Sequence, residues 1–138
     1  MVKYLLASHG LYAEGTASFL KIMAGTNANL YTLAAFLDDT SIEELVRKKL
    51  EVINEYDQLI VFCDLYGGSV AQEVYRQTQG TKRNIQIIAG YNVALVLDII
   101  LKDRVLDPTE IRQIIAESRN AIVYLNDYQQ TAETNDLF

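Results

Sequence analysis

His9 is the only histidine in a chain of 138 residues, and it stands where the apolar run Val2-Lys3-Tyr4-Leu5-Leu6-Ala7 gives way to Ser8-His9-Gly10. A neutral imidazole is the one side chain that can act as a nucleophile near pH 7 without first losing a proton to a neighbouring base. A second cluster, Asp64-Leu65-Tyr66-Gly67-Gly68-Ser69, follows a later apolar run. A carboxylate beside an imidazole accepts a hydrogen bond from one ring nitrogen, which fixes the tautomer and leaves the other nitrogen's lone pair facing outward. Gly67 and Gly68 allow backbone torsions and close approaches that a side chain would block. Ser69 opens a helix whose free amides and positive dipole end can hold an anion. Histidine, carboxylate and anion site together point to phosphoryl transfer, with His9 and Asp64 as the catalytic pair. Gly10, Gly67, Gly68 and Ser69 are the candidates for holding the phosphoryl group. Ser69-Val70-Ala71-Gln72 is itself a capping-box pattern, so Ser69 is expected first to cap its helix and, beside that, to contact phosphate. Ser8, Tyr66 and Asn92 are secondary candidates for lining the site.

Those residues are far apart in the chain and need a fold to bring them together. Four short apolar runs, 2–7, 30–37, 59–63 and 85–89, alternate with helix-length segments in the manner of a parallel sheet. Helices are expected over 13–24, ended near Gly25, and over 42 to about 56. The second opens with Ser41-Ile42-Glu43-Glu44, a capping box in which serine and glutamate satisfy free amides reciprocally. A third is expected over 70 to about 79, closed by Gly80. The apolar stretch 93–101 follows Gly90-Tyr91-Asn92, which reads as a turn and helix cap. A fifth helix, to about Ser118, begins at Asp107-Pro108-Thr109-Glu110, where aspartate caps and proline takes the first turn. A last apolar run, 121–125, reads as a strand. Residues 1–126 are expected to form one domain and 127–138 a loosely ordered polar tail.

Right-handed crossovers restrict such a chain to few topologies, of which the flavodoxin-like order 2-1-3-4 is a common one. The reading is therefore a three-layer α/β/α fold with a mainly parallel sheet and a C-terminal edge strand exchanged between subunits. In that order strands 1 and 3 are neighbours, and sites form in the crevice at their carboxyl ends. Histidine and carboxylate then arrive at the same crevice.

Composition narrows the function classes. Half of the residues are apolar and 22% are charged, which suits a globular protein, and no apolar stretch approaches the roughly 20 residues of a membrane span. The N-terminus lacks a signal-peptide pattern, so a cytoplasmic location is expected. One cysteine and one histidine argue against a disulfide and against a zinc site, and no metal or cofactor is expected. A net charge of −6 without a local Lys/Arg cluster makes nucleic acid an improbable partner. The stretch 93–101 places apolar side chains all round a helix, more than one sheet face can cover, and the last strand offers an exposed edge; both predict a homodimer.

Ser8-His9-Gly10, the strand ending in Asp64 with an aromatic before Gly67-Gly68-Ser69, and Ala89-Gly90-Tyr91-Asn92 before an apolar helix resemble the EIIA component of mannose-type phosphoenolpyruvate-dependent sugar phosphotransferase systems. The resemblance spans roughly residues 2–125. It implies that His9 accepts a phosphoryl group from the phosphocarrier HPr and passes it to an EIIB subunit, with Asp64 orienting the imidazole. It also implies a homodimer in which the C-terminal strand pairs with the other subunit, and a sugar specificity residing in the membrane components EIIC and EIID, reached only indirectly. The family usually has proline after Gly-Gly-Ser and often asparagine two residues later, where this chain has Val70 and Gln72. It also commonly has a proline near Val93 or Ala94.

Other readings of the same fold fit less well. The dihydroxyacetone kinase phosphotransferase subunit shares an early histidine but typically has Met-Gly-Ser. A receiver domain would place its acceptor aspartate at Asp64 yet needs an acidic pair after strand 1, where this chain has Ser8 and His9. Histidine phosphatases begin Arg-His-Gly and use a second histidine. An FMN binder needs a Ser/Thr/Gly-rich loop where Leu11-Tyr12-Ala13-Glu14 stands. A non-catalytic regulatory module remains the alternative from another class, because a fold does not fix a function.

Overall fold

A computed structural model describes residues 1–128. The apolar runs form β1 (Val2–His9), β2 (Leu30–Ala35), β3 (Gln58–Cys63) and β4 (Ile85–Ala89), with α1 (Tyr12–Ala24), α2 (Ile42–Val52) and α3 (Ser69–Thr78) between them. Two further helices follow, α4 (Val93–Lys102) and α5 (Pro108–Arg119), and then one 3-10 turn, Leu125–Asp127. All strand pairs are parallel, in the order β2-β1-β3-β4. This is the flavodoxin-like arrangement that the alternation of elements predicts.

The pleat divides the core into two layers, since successive side chains on a strand face opposite ways. Tyr4, Leu6, Ile60 and Phe62 pack with Leu20 of α1, Leu95 and Ile99 of α4 and Ile111 of α5. Leu5, Ala7, Leu59, Val61 and Cys63 pack on the other side with Val46 of α2 and Val74 of α3. Every residue of β3 is buried, which is why its sequence is a run rather than an alternation.

Helix starts differ in how well their signals are realised. At α5, Asp107 Oδ1 accepts from the Glu110 amide at 2.8 Å and Glu110 Oε1 accepts from the Asp107 amide at 3.4 Å, a complete capping box. At α2 only half of the expected box forms: Ser41 Oγ accepts from the Glu44 amide at 3.2 Å, while the Glu44 carboxylate pairs with Lys48 at 2.9 Å. That helix also ends at Val52 rather than near Tyr56, because Ile53 leaves the helical conformation and is fully buried.

Two further expectations are corrected, and a third concerns a segment expected to pair with a second subunit. β2 ends at Ala35, not Leu37, because Phe36 takes a positive φ of 65°. The apolar helix α4 is largely covered by its own chain: Leu95, Val96, Ile99 and Ile100 are buried, leaving Val93 and Leu101 exposed. Residues 121–125 form no strand within the chain; a turn at Ala121 leads through unpaired backbone to the 3-10 turn. A strand needs a neighbour to take its hydrogen bonds, and Ile122, Val123, Tyr124 and Leu125 are all exposed here. Of the expected tail, residues 129–138 lie outside the described residues.

Candidate functional site

The register sets the site. Ala7 of β1 lies opposite Cys63 of β3, and His9 lies opposite Ala35 of β2. His9, Asp64 and Phe36 therefore leave the sheet together at its carboxyl edge. Asp64 Oδ2 accepts from the His9 backbone amide at 2.8 Å and meets His9 Nδ1 at 2.9 Å. A carboxylate can only accept, so Nδ1 carries the ring proton and Nε2 keeps its lone pair. Ser69 Oγ stands 3.2 Å from Nε2 and is the donor there. The two in-plane contacts aim Nε2 toward the start of α3. His9 is 42% exposed and Asp64 only 13%, so the imidazole faces solvent while its carboxylate partner is held inside. Asp64 Oδ1 is buried with no hydrogen-bond partner among the described residues, so both bonds to His9 fall on one oxygen.

Ser69 departs from the expected capping role. The cap position belongs to Gly68, which has no side chain to offer, and Gln72 donates to the Gly67 carbonyl at 3.1 Å instead of closing a box. Ser69 is thus the first residue of α3, with its hydroxyl turned to the imidazole. The two glycines divide their tasks. Gly67 adopts φ +78°, a left-handed torsion that costs other residues about 1–2 kcal/mol. Gly68 brings backbone against the ring, since a Cβ there would lie 3.4 Å from His9 Cε1. The first amides of α3 have no partner within the helix and face the same crevice end.

The remaining candidates stand apart from the imidazole. Gly10 donates its amide to the Ala35 carbonyl at 2.8 Å, which ties β1 to β2 rather than presenting an anion donor. Ser8 is fully buried, and its hydroxyl accepts from the Ala13 amide at 2.7 Å, capping the first turn of α1. Asn92 caps α4 by accepting from the Leu95 amide at 2.9 Å and ties it to α5 by donating to the Ser118 carbonyl at 2.8 Å. Tyr66 projects into solvent at 87% exposure.

Sequence reasoning missed Phe36, whose ring stacks on that of His9 with centroids 5.1 Å apart and planes at 21°. The one signal available was its place at the end of β2, beside β1. It also missed the wall behind the site, where Tyr91 stacks on Tyr12 at 5.2 Å and bonds Thr16 Oγ1 at 2.9 Å. Burial pushes the Tyr91 hydroxyl up to about 12. Burial, and secondarily the Asp64 charge, push the Cys63 thiol up to about 12. Both stay protonated at neutral pH.

Comparison with known proteins agrees with this geometry. The family model EIIA-man, described as PTS system fructose IIA component, matches residues 3–116. The chain belongs to that family. No curated protein is significantly similar to it in sequence. Among solved structures, an EIIA phosphotransferase component from Streptococcus agalactiae is 20% identical, with a TM-score of 0.81 over 93% of this chain and 100% of that one. The mannose/sorbose specific IIA subunit from Enterococcus faecalis is 20% identical, with a TM-score of 0.74 over 94% and 98%. A candidate phosphoenolpyruvate-dependent sugar phosphotransferase system permease from Klebsiella pneumoniae is 25% identical, with a TM-score of 0.80 over 91% of each chain. EIIA proteins are phosphoryl-transfer components of sugar phosphotransferase systems, so the family and the crevice indicate the same class of chemistry. Among the described residues, no helix is long and apolar enough to cross a membrane.

Proposed function

We propose that this chain is a sugar phosphotransferase phosphocarrier that accepts a phosphoryl group from phospho-HPr on His9 Nε2 and passes it to an EIIB subunit. The observation that carries the reading is the Asp64 to Nδ1 bond of 2.9 Å, which leaves Nε2 as the free lone pair at the start of a helix. In the first step that lone pair forms a bond to phosphorus while the donor's phosphorus–nitrogen bond breaks, its electron pair returning to the HPr imidazole. The Nδ1 proton stays in place, so the His9 ring becomes cationic and the Asp64 carboxylate balances the charge. Ser69 releases Nε2 as phosphorus approaches and its hydroxyl donates to a phosphoryl oxygen. The free amides of the first turn of α3 hold the remaining negative charge. The second transfer runs the same way in reverse, with the EIIB nucleophile attacking phosphorus and Nε2 leaving.

The surroundings suit protein partners. Leu11, Tyr12, Phe36, Leu37, Leu65 and Tyr66 are exposed apolar side chains on the three loops that border His9, a collar on which HPr and EIIB can exclude water in turn. A homodimer completes the reading. The outer edge of β4 has no strand partner among the described residues, and beside it an open groove of about 780 Å³ is lined by Tyr66, Tyr75, Ile85, Ile87 and Ala89. The unpaired segment 121–125 of a second copy supplies what that edge lacks. Sedimentation should give twice the 15.6 kDa chain mass; a monomer at micromolar concentration overturns the exchange.

The central test is labelling with phosphoenolpyruvate, Enzyme I and HPr. The label should be acid-labile and alkali-stable, as a phosphoimidazole is. It should move on to EIIB and be absent from His9→Ala. Label persisting in that variant defeats the assignment.

A further inference from the structure

We propose that Phe36 is a positioning residue, holding the plane of the His9 ring while Nε2 attacks; the inference rests on His9 as the phosphoryl acceptor. Ala35 is fully buried and its carbonyl is tied to the Gly10 amide at 2.8 Å. The next residue turns into the left-handed region at φ +65°, which a benzyl side chain rarely occupies. Burial does not account for this conformation, because Phe36 remains 53% exposed. What it does achieve is the offset stack on the imidazole, at 5.1 Å and 21°, within the range of favourable aromatic pairs.

The need for a stack follows from the bonds that attack consumes. At rest the ring is held in its plane by Asp64 at Nδ1 and Ser69 at Nε2. Attack uses the Nε2 lone pair, so the Ser69 contact is surrendered as phosphorus approaches. One in-plane bond then remains, and the ring can rock about its Cβ–Cγ bond. An aromatic face restrains that rocking without occupying either nitrogen, and it becomes more favourable as the ring gains positive charge. Gly68, with its backbone near Cε1, limits motion at the ring's edge.

Phe36→Asn separates position from stability, since asparagine tolerates the left-handed region but offers no aromatic face. Its melting temperature should equal or exceed the parental one. Its transfer rate at saturating phospho-HPr should fall by roughly threefold to tenfold, and Phe36→Tyr should recover most of that loss. A melting temperature below the parental value makes Phe36 a stabilising residue and overturns the proposal. So does an unchanged saturating rate, whether or not the KM for phospho-HPr rises, because that describes docking or nothing. An independent readout needs no variant: with one histidine in the chain, the His9 Hε1 and Hδ2 signals are unambiguous by NMR. Stacking should displace at least one of them upfield, and both at their exposed-histidine positions would overturn the stack itself. A parental protein that takes up no label defeats the phosphocarrier reading instead, while the NMR signature still tests the stack.

Discussion

The starts of α3 and α5 carry the same kind of sequence signal and put it to opposite uses. Asp107-Pro108-Thr109-Glu110 and Ser69-Val70-Ala71-Gln72 both follow the pattern of a capping residue with an acid or amide three positions later. At α5 both halves of the box close on the backbone. At α3 neither does: the helix begins one residue earlier relative to the pattern, Gly68 takes the cap position and the Ser69 hydroxyl faces His9. Capping with Ser or Asp contributes typically about 1 kcal/mol, and α3 forgoes it. The difference teaches that a helix start can hold free amides and a reactive contact only if its own side chains do not satisfy it first. Local pattern proposes a cap, and tertiary geometry decides whether the side chain is released for chemistry.

The largest effect that sharpens this contrast is expected at Asp64. Its bond to Nδ1 is charge-assisted, worth on the order of 1.5–3 kcal/mol, or roughly one to two powers of ten in rate if fully felt in the transition state. Asp64→Ala should slow transfer by about that much without abolishing it. Asp64→Asn should be at least as harmful, because its amide can donate to Nδ1 and select the wrong tautomer, the effect known for the aspartate of the serine-protease triad. The fold should stay nearly as stable, as judged by thermal melting. Parental rates in both variants would reduce Asp64 to a turn residue and erase the contrast with α5.

How far these features were legible in the sequence depends on what holds each one. The four strands and the 2-1-3-4 order followed from apolar runs, and with them the meeting of His9 and Asp64, because both depend on patterns that survive averaging over many contacts. In the sequence Phe36 is an ordinary strand residue, since an apolar side chain at a strand end signals core and nothing in its type signals a left-handed torsion. Ile53 and Tyr56 continue the apolar spacing of α2, so the spacing predicts too long a helix; the chain buries Ile53 from outside the helix instead. Residues 121–125 have the composition of a strand, but pairing is a property of a neighbour and not of a segment, and among the described residues no neighbour is there. Ser69 has the local signature of a cap for the same reason: the competing acceptor, His9 Nε2, lies 60 residues away in the chain.

The smaller and sharper test sets Asp107→Ala against Ser69→Ala. Removing Asp107 deletes the cap of α5 and leaves the Glu110 amide, now bonded at 2.8 Å, to water. The cost should be about 1 kcal/mol and at most about 2, seen as a lower melting temperature, with phosphoryl transfer at the parental rate because α5 starts at the opposite edge of the sheet, where the Leu106 amide donates to Gln58 at the first residue of β3. Ser69→Ala deletes no capping bond, and alanine is the better helix former by a few tenths of a kcal/mol, so stability should hold or rise slightly. Transfer should nevertheless slow, since the hydroxyl exchanges a neutral bond to Nε2 for a charge-assisted one to the phosphoryl group during attack, and the difference of about 1 kcal/mol is roughly fivefold in rate. The sign is informative. At rest the Ser69 hydroxyl masks the lone pair, so a faster Ser69→Ala variant would mean that it only guards Nε2 and takes no part in the transfer. A variant that loses stability as Asp107→Ala does would mean that Ser69 caps α3 after all, and that the two helix starts are built alike.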